Sequence, residues 1–160
     1  MNAGIVGMGI MGRLLAFALH NAGWQITIFE QATGAANCSM AAAGLLTPVS
    51  ELDMASPLIF NLGQESMQAA WPEILAQLSK QSSYLQKLGT IVLCHPRDQA
   101  EWISFSRRIV NQYPDSARYF YQLSNDDLHE LEPELIKFTT AYYFPDEAHI
   151  NCQALMSALN

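Results

Sequence analysis

Basic residues are scarce in this 160-residue chain: eight Lys and Arg stand against fifteen Asp and Glu, for a formal net charge of −7. A surface of that sign repels nucleic-acid phosphates and anionic membranes alike. Cysteine is scarce too. Cys38, Cys94 and Cys152 are odd in number and widely spaced, with no CxxC pair, and the four histidines are equally scattered. That pattern speaks against a disulfide framework and a zinc site, and fits a reducing cytoplasm. No run is long and apolar enough to span a bilayer. The apolar N-terminus lacks the basic start of a signal peptide, carries Arg13 in its middle, and is broken by Gly4, Gly7, Gly9 and Gly12. Internal repeats, low-complexity segments and Ser/His/Asp or Cys/His constellations are missing. What is present is a globular composition: half of the residues are hydrophobic and only 14% are charged.

The first thirty residues carry the strongest pattern. Ala3 to Val6 read as a short buried strand. Gly7-Met8-Gly9-Ile10-Met11-Gly12 is a GxGxxG turn, and a helix follows with Leu14, Leu15, Ala18, Leu19 and Ala22 on or near one face. Asn21-Ala22-Gly23 ends the helix, Trp24 to Phe29 forms a second strand, and Glu30 follows 18 residues after Gly12. Each part has a physical task. Gly7 permits the tight turn, Gly9 lets the backbone approach a diphosphate, and Gly12 allows close packing of helix on strand. The N–H groups of the first helical turn, including those of Ile10 and Met11, attract the diphosphate. Ala16 is small where the helix crosses the sheet. The Glu30 carboxylate, with Gln31 beside it, is placed to meet ribose hydroxyls. This unit is expected to hold a dinucleotide such as FAD or NAD.

The fingerprint does not choose between them. Residues 4 to 12 also resemble the opening of the 3-hydroxyisobutyrate and 6-phosphogluconate dehydrogenases, which use nicotinamide cofactors. The next segment, Cys38-Ser39-Met40-Ala41-Ala42-Ala43-Gly44-Leu45-Leu46, is a run of small residues that can lie flat against a bulky ligand, with Gly44 free to take backbone angles that other residues avoid. It resembles the flavin-binding loop of the D-amino-acid oxidase family, glycine oxidases among them. The resemblance continues in family order. Ser66 to Leu78, with Trp71-Pro72, is similar to the helix before that family's substrate domain. Gly89 to Leu93 is similar to the strand that opens its sheet, Leu131 to Leu135 to its Glu-Pro turn, and Tyr143 to Asn151 to the strand and loop that return to the cofactor domain. Met40, Asn37, Ala36 and Gln31 depart from residues usual there.

That resemblance implies an α/β fold. A Rossmann-type FAD-binding portion is expected over residues 1–60, part of a mixed α+β substrate domain over 61–150, and the start of a helix returning to the FAD-binding domain over 151–160. It implies FAD contacts at Gly7, Gly9, Ile10, Met11, Gly12, Glu30, Gln31, Cys38, Ser39, Ala43, Gly44 and Leu45, with no metal. It also implies hydride transfer from the α-carbon of glycine or a similar small amine or D-amino acid to the flavin, giving an imine and, on reoxidation by oxygen, hydrogen peroxide. A link to thiamine biosynthesis follows from the glycine-oxidase resemblance alone. Catalytic residues are not assigned, because the family's substrate-binding arginine belongs to a C-terminal half expected to be missing. The sequence is accordingly expected to be a truncated piece that exposes apolar surface and pairs with that half or with another copy. Two rival readings are an NAD(P)-dependent dehydrogenase and a non-catalytic module binding a nucleotide or a partner chain.

Elsewhere the periodicity predicts helix from Gly63 to Leu88, restarted or kinked at Pro72, with Trp71, Ile74, Leu75, Leu78 and Leu85 apolar. It predicts strand over 89–94, then a helix starting near Pro96 and Asp98 with Trp102, Phe105 and Ile109 on one face. Strand is expected from Tyr119 to Leu123, a helix start at Ser124 to Asp127 with Leu128 and Leu131 apolar, and strand from Ala141 to Phe144. Asn151 is expected to cap a last helix. Tyr113, Tyr119, Phe120, Tyr121, Tyr142, Tyr143 and Phe144 are expected in the sheet core rather than in a substrate pocket. His129 and His149 are expected to be structural, and the acidic pairs to be caps and solvated faces.

Overall fold

A computed structural model describes residues 1–31, 38–78 and 84–160. The departures noted at Ala36 and Asn37 lie outside these residues. The strands are β1 (Asn2–Val6), β2 (Gln25–Phe29), β3 (Leu45–Leu46), β4 (Leu85–Gln86), β5 (Thr90–Leu93), β6 (Tyr121–Leu123), β7 (Ala141–Phe144) and β8 (Ala148–Ile150). The α-helices are α1 (Ile10–Asn21), α2 (Cys38–Ala41), α3 (Pro57–Glu65), α4 (Trp71–Ala76), α5 (Gln99–Gln112), α6 (Asn125–Leu131) and α7 (Cys152–Ala158). The fold is mixed α/β. It divides into two compact units: residues 1–45, 74–86 and 150–160 form the first, and 46–73 with 87–149 the second. The small sheet β3-β8-β4 contains residues at which the chain passes from one unit into the other.

In the first unit β1 and β2 are parallel, with Ala3 opposite Ile26 and Ile5 opposite Ile28. A parallel pair needs a crossover, and α1 supplies it. Positive φ angles at Gly7 (+96°) and Gly23 (+80°) turn the chain into and out of that crossover. The helix face is less buried than its pattern predicts. No residue of α1 is fully buried, and Leu15 is 51% exposed. Among the described residues of this unit Ile5, Leu75, Tyr84, Ile150, Leu155 and Met156 are buried, while Val6 is 87% exposed. The Asn151 side chain accepts from Ala154 N–H at 3.0 Å and caps α7, as the sequence suggests.

The second unit is built on the antiparallel sheet β5-β7-β6, with Val92 opposite Tyr142 and Gln122 opposite Tyr142 from the other side. Phe144, Ile109, Leu52, Phe60 and Val49 form its core, with Phe105, Tyr113, Tyr119, Phe120 and Tyr142 packed around them. Trp102 on α5 stacks on Tyr142 with ring centroids 4.1 Å apart. The aromatic residues are therefore core, with one correction: Tyr121 is 54% exposed, because β6 begins only there and its pattern is exposed-exposed-buried. Ser124 Oγ accepts from Asp127 N–H at 3.1 Å and starts α6, as expected.

The predicted long helix from Gly63 to Leu88 is also corrected. Helix α4 ends at Ala76 and Leu85 lies in a strand, while residues 79–83 of that prediction lie outside the described residues. Between α3 and α4 runs a π-helical turn, Ser66–Ala70, directly before Trp71-Pro72. Proline has no N–H for the carbonyl four residues back, and its ring crowds that carbonyl. Widening the preceding turn accommodates both, so Pro72 produces a change of helix type rather than a break.

Candidate functional site

The β1–α1 turn is held by bonds to both backbone polar groups of Met8. Glu30 Oε2, at the end of β2, accepts the Met8 N–H at 2.7 Å, and Arg13 Nε donates to the Met8 carbonyl at 2.9 Å. Gly7 N–H donates to the Phe29 carbonyl at 2.9 Å, tying the turn to the second strand. The other Glu30 oxygen accepts from Gln31 N–H at 2.8 Å. The turn thus takes its shape from the protein itself.

The glycines are there because of contacts. A Cβ on Gly12 would lie 2.0 Å from the Gly7 carbonyl oxygen, so any side chain would push helix and turn apart. A Cβ on Gly9 would lie 3.3 Å from Ser39 Oγ. Ser39 is close because its hydroxyl accepts the Ile10 N–H at 2.9 Å, across 29 residues of sequence. The small-residue segment and the start of α1 therefore meet. Met11 and Gly12 carry the next N–H groups of the first turn, which have no acceptor among the described residues. Such groups, backed by the helix dipole, make an anion-binding end.

The structure brings together Gly7, Gly9, Ile10, Met11, Gly12, Glu30, Gln31 and Ser39. Cys38, on α2, is exposed, as are Ala43 and Leu45. Gly44 has the positive φ (+75°) that its residue type permits, and the reason is a close contact. A Cβ there would lie 2.0 Å from the Ile150 carbonyl oxygen and 2.9 Å from Cys152 Sγ. Its neighbours there are atoms of the chain itself. The sequence reading missed Met8 and Arg13, whose roles depend on partners far along the chain.

A third residue that the sequence did not signal is Glu147, in the second unit, 1% exposed. Its Oε1 accepts from Val49 N–H (3.0 Å) and Ser50 N–H (2.7 Å), and its Oε2 from Ser50 Oγ (3.0 Å). Burial pushes its carboxyl above the ordinary value, while the bonds from Ser50, Thr90 and Val49 pull the other way. His129 Nε2 lies 3.2 Å from the Phe138 carbonyl, a structural contact. Among the described residues no cluster of three His, Cys, Asp or Glu could hold a metal, and no helix is long and apolar enough to cross a membrane.

A scan against protein-family models matches residues 3–160 to DAO, FAD dependent oxidoreductase. The chain belongs to the FAD-dependent oxidoreductase family DAO. Among its DAO relatives, a Rhizobium etli protein named "Putative thiamine biosynthesis oxidoreductase ThiO" is 30% identical over 96% of this chain and 43% of its own length. Glycine oxidase of Geobacillus kaustophilus is 27% identical over 97% of this chain and 41% of its own. The solved structure of glycine oxidase from Bacillus cereus superposes with a TM-score of 0.75 at 28% identity, covering 98% of this chain and 41% of that one. The chain thus spans about two fifths of the length of the DAO relatives it matches. DAO membership favours FAD over a nicotinamide nucleotide as the dinucleotide that the fingerprint expects.

Proposed function

We propose that this chain forms the dinucleotide-holding part of a flavin-dependent amine or amino-acid oxidase of the glycine-oxidase kind, acting on glycine or a similar small amine or D-amino acid. One observation carries the reading: the glycine-lined start of α1, with its Met11 and Gly12 N–H groups, beside a turn already fixed by Glu30. The residues fit FAD. The first-turn N–H groups and the helix dipole would hold the diphosphate. Glu30 would accept from a ribose hydroxyl; a carboxylate has about four lone-pair sites, so this is compatible with its grip on Met8. Gly9, Cys38, Ser39, Ala43, Gly44 and Leu45 would offer small or backbone surface to the rest of the cofactor.

When bound, the flavin supplies the redox chemistry, accepting a hydride equivalent from the substrate carbon and passing electrons to oxygen. This chain's own contribution is to bind and orient. The fixed Met8 peptide lowers the ordering cost of binding, and the α1 N-terminus neutralises diphosphate charge. A cytoplasmic place and a link to thiamine biosynthesis are part of the proposal, the latter resting on the name of the Rhizobium relative.

Titration of the purified chain with FAD, followed by flavin fluorescence and the visible spectrum, tests the reading. Saturable binding, abolished by excess ADP, is the expected result. Binding of a nicotinamide nucleotide in preference to FAD, or of neither, would overturn it. Anaerobic addition of glycine then asks about chemistry: bleaching of bound flavin marks these residues as sufficient for turnover.

A further inference from the structure

Arg13 is oddly placed. It lies in the first turn of α1, where a cation opposes the helix dipole. It is half-buried, and the chain has few cations to spare. Its guanidinium makes three hydrogen bonds within the first unit. Nε donates to the Met8 carbonyl at 2.9 Å; Nη1 donates to the Met156 carbonyl at 2.8 Å and to Asn160 Oδ1 at 2.5 Å. Met156 lies on α7, so the guanidinium joins the turn at the start of α1 to a second helix of the same unit.

We propose that Arg13 is a positioning residue for dinucleotide binding, fixing the β1–α1 turn to α7 through the Met156 carbonyl. The inference rests on the cofactor reading above and adds a residue that the GxGxxG pattern does not specify. Met8 is held at its N–H by Glu30 and at its carbonyl by Arg13. Without Arg13 that carbonyl loses its donor, and the Met8–Gly9 peptide can rotate out of the orientation that aligns the N–H groups following it. Arg13 has no acceptor to offer and needs no contact with the ligand; it acts through Met8. A planar, multi-donor guanidinium suits this role, since one side chain must span Met8 and α7 together.

The test compares ligands that differ at the diphosphate. Dissociation constants for FAD, ADP and AMP are measured by calorimetry on the unaltered chain, Arg13→Ala, Arg13→Lys and Asn160→Ala, with melting temperatures alongside. Charge-assisted hydrogen bonds of this kind translate into about tenfold in affinity. Arg13→Ala is expected to weaken FAD and ADP by about that factor while AMP changes by less than about threefold. Arg13→Lys should restore only part of the loss, because an ammonium cannot reproduce the fork. Asn160→Ala, which leaves Met8 and its donor in place, should weaken ADP slightly and serves if Arg13→Ala fails to fold. Unchanged ADP affinity in folded Arg13→Ala would overturn the inference alone, as would equal losses for ADP and AMP that track the melting temperature. No binding of FAD or ADP by the unaltered chain would overturn the cofactor reading itself.

Discussion

Glu30 Oε2 accepts the Met8 N–H at 2.7 Å, so the acidic residue at the end of the second strand holds the glycine-rich turn before any ligand does. The two features that a fingerprint treats as separate ligand contacts are one hydrogen-bonded pair.

Glu30→Ala therefore removes both a ribose acceptor and the Met8 bond. FAD affinity is expected to fall more than tenfold, since a hydrogen bond to a charged group contributes about 1.5–3 kcal/mol. Glu30→Gln keeps one acceptor oxygen and should lose less. A fluorescence titration of both variants against the unaltered chain checks the order.

Gly12→Ala forces a methyl to within 2.0 Å of the Gly7 carbonyl oxygen, and both atoms are backbone-borne. Overpacking of this kind costs about 1–3 kcal/mol and displaces the start of α1. Melting temperature and FAD affinity should fall together. Gly9→Ala meets only the Ser39 hydroxyl at 3.3 Å, so its melting temperature should stay near that of the unaltered chain while FAD affinity falls. Differential scanning fluorimetry with and without FAD separates the two.

Glu147→Ala leaves the Val49 and Ser50 N–H groups without their acceptor. A buried unsatisfied donor costs about 1–3 kcal/mol and the Ser50 N–H is only part-buried, so a loss of roughly 2–4 kcal/mol is expected in chemical denaturation. Glu147→Gln retains an acceptor oxygen and should lose less.

The same carboxyl predicts a pH dependence. Its value is raised from the ordinary 4.5, chiefly by burial. Between 4.5 and the raised value the folded chain binds more protons at this site than the unfolded chain, so stability falls as pH rises. Its contribution is present in full below 4.5 and lost as pH climbs through the folded value. The stability difference between the unaltered chain and Glu147→Gln should therefore shrink as pH rises above 4.5, measured by urea denaturation along a pH series.

Local patterns were legible and tertiary partnerships were not. Gly7, Gly12 and Gly44 could be singled out because their residue type is itself a signal of turn or close approach. Ser124 and Asn151 could be named as caps because a cap lies beside the helix it serves. Arg13, by contrast, looks in sequence like a charge that interrupts an apolar helix; its partner Met156 is 143 residues away. Glu147 sits among Pro145, Asp146 and Ala148 like any turn acid, and only folding brings Val49 and Ser50 to it, 98 and 97 residues back. Leu85 was assigned to a helix because an apolar residue at helical spacing is indistinguishable from one in a two-residue strand, where the neighbouring strand decides.

The bond from Arg13 to Met156 has a consequence for synthesis. Ribosomes release a chain from its N-terminus, and β1, α1 and β2 are all available early. Their clamp is not: the α7 carbonyl that anchors Arg13 emerges 143 residues after it. The residues of the second unit, 46–73 and 87–149, are all synthesised before that bond can form. Until α7 leaves the exit tunnel, the dinucleotide turn of a growing chain has the bonds from Glu30 and Phe29 but not the one that runs through Arg13 to Met156.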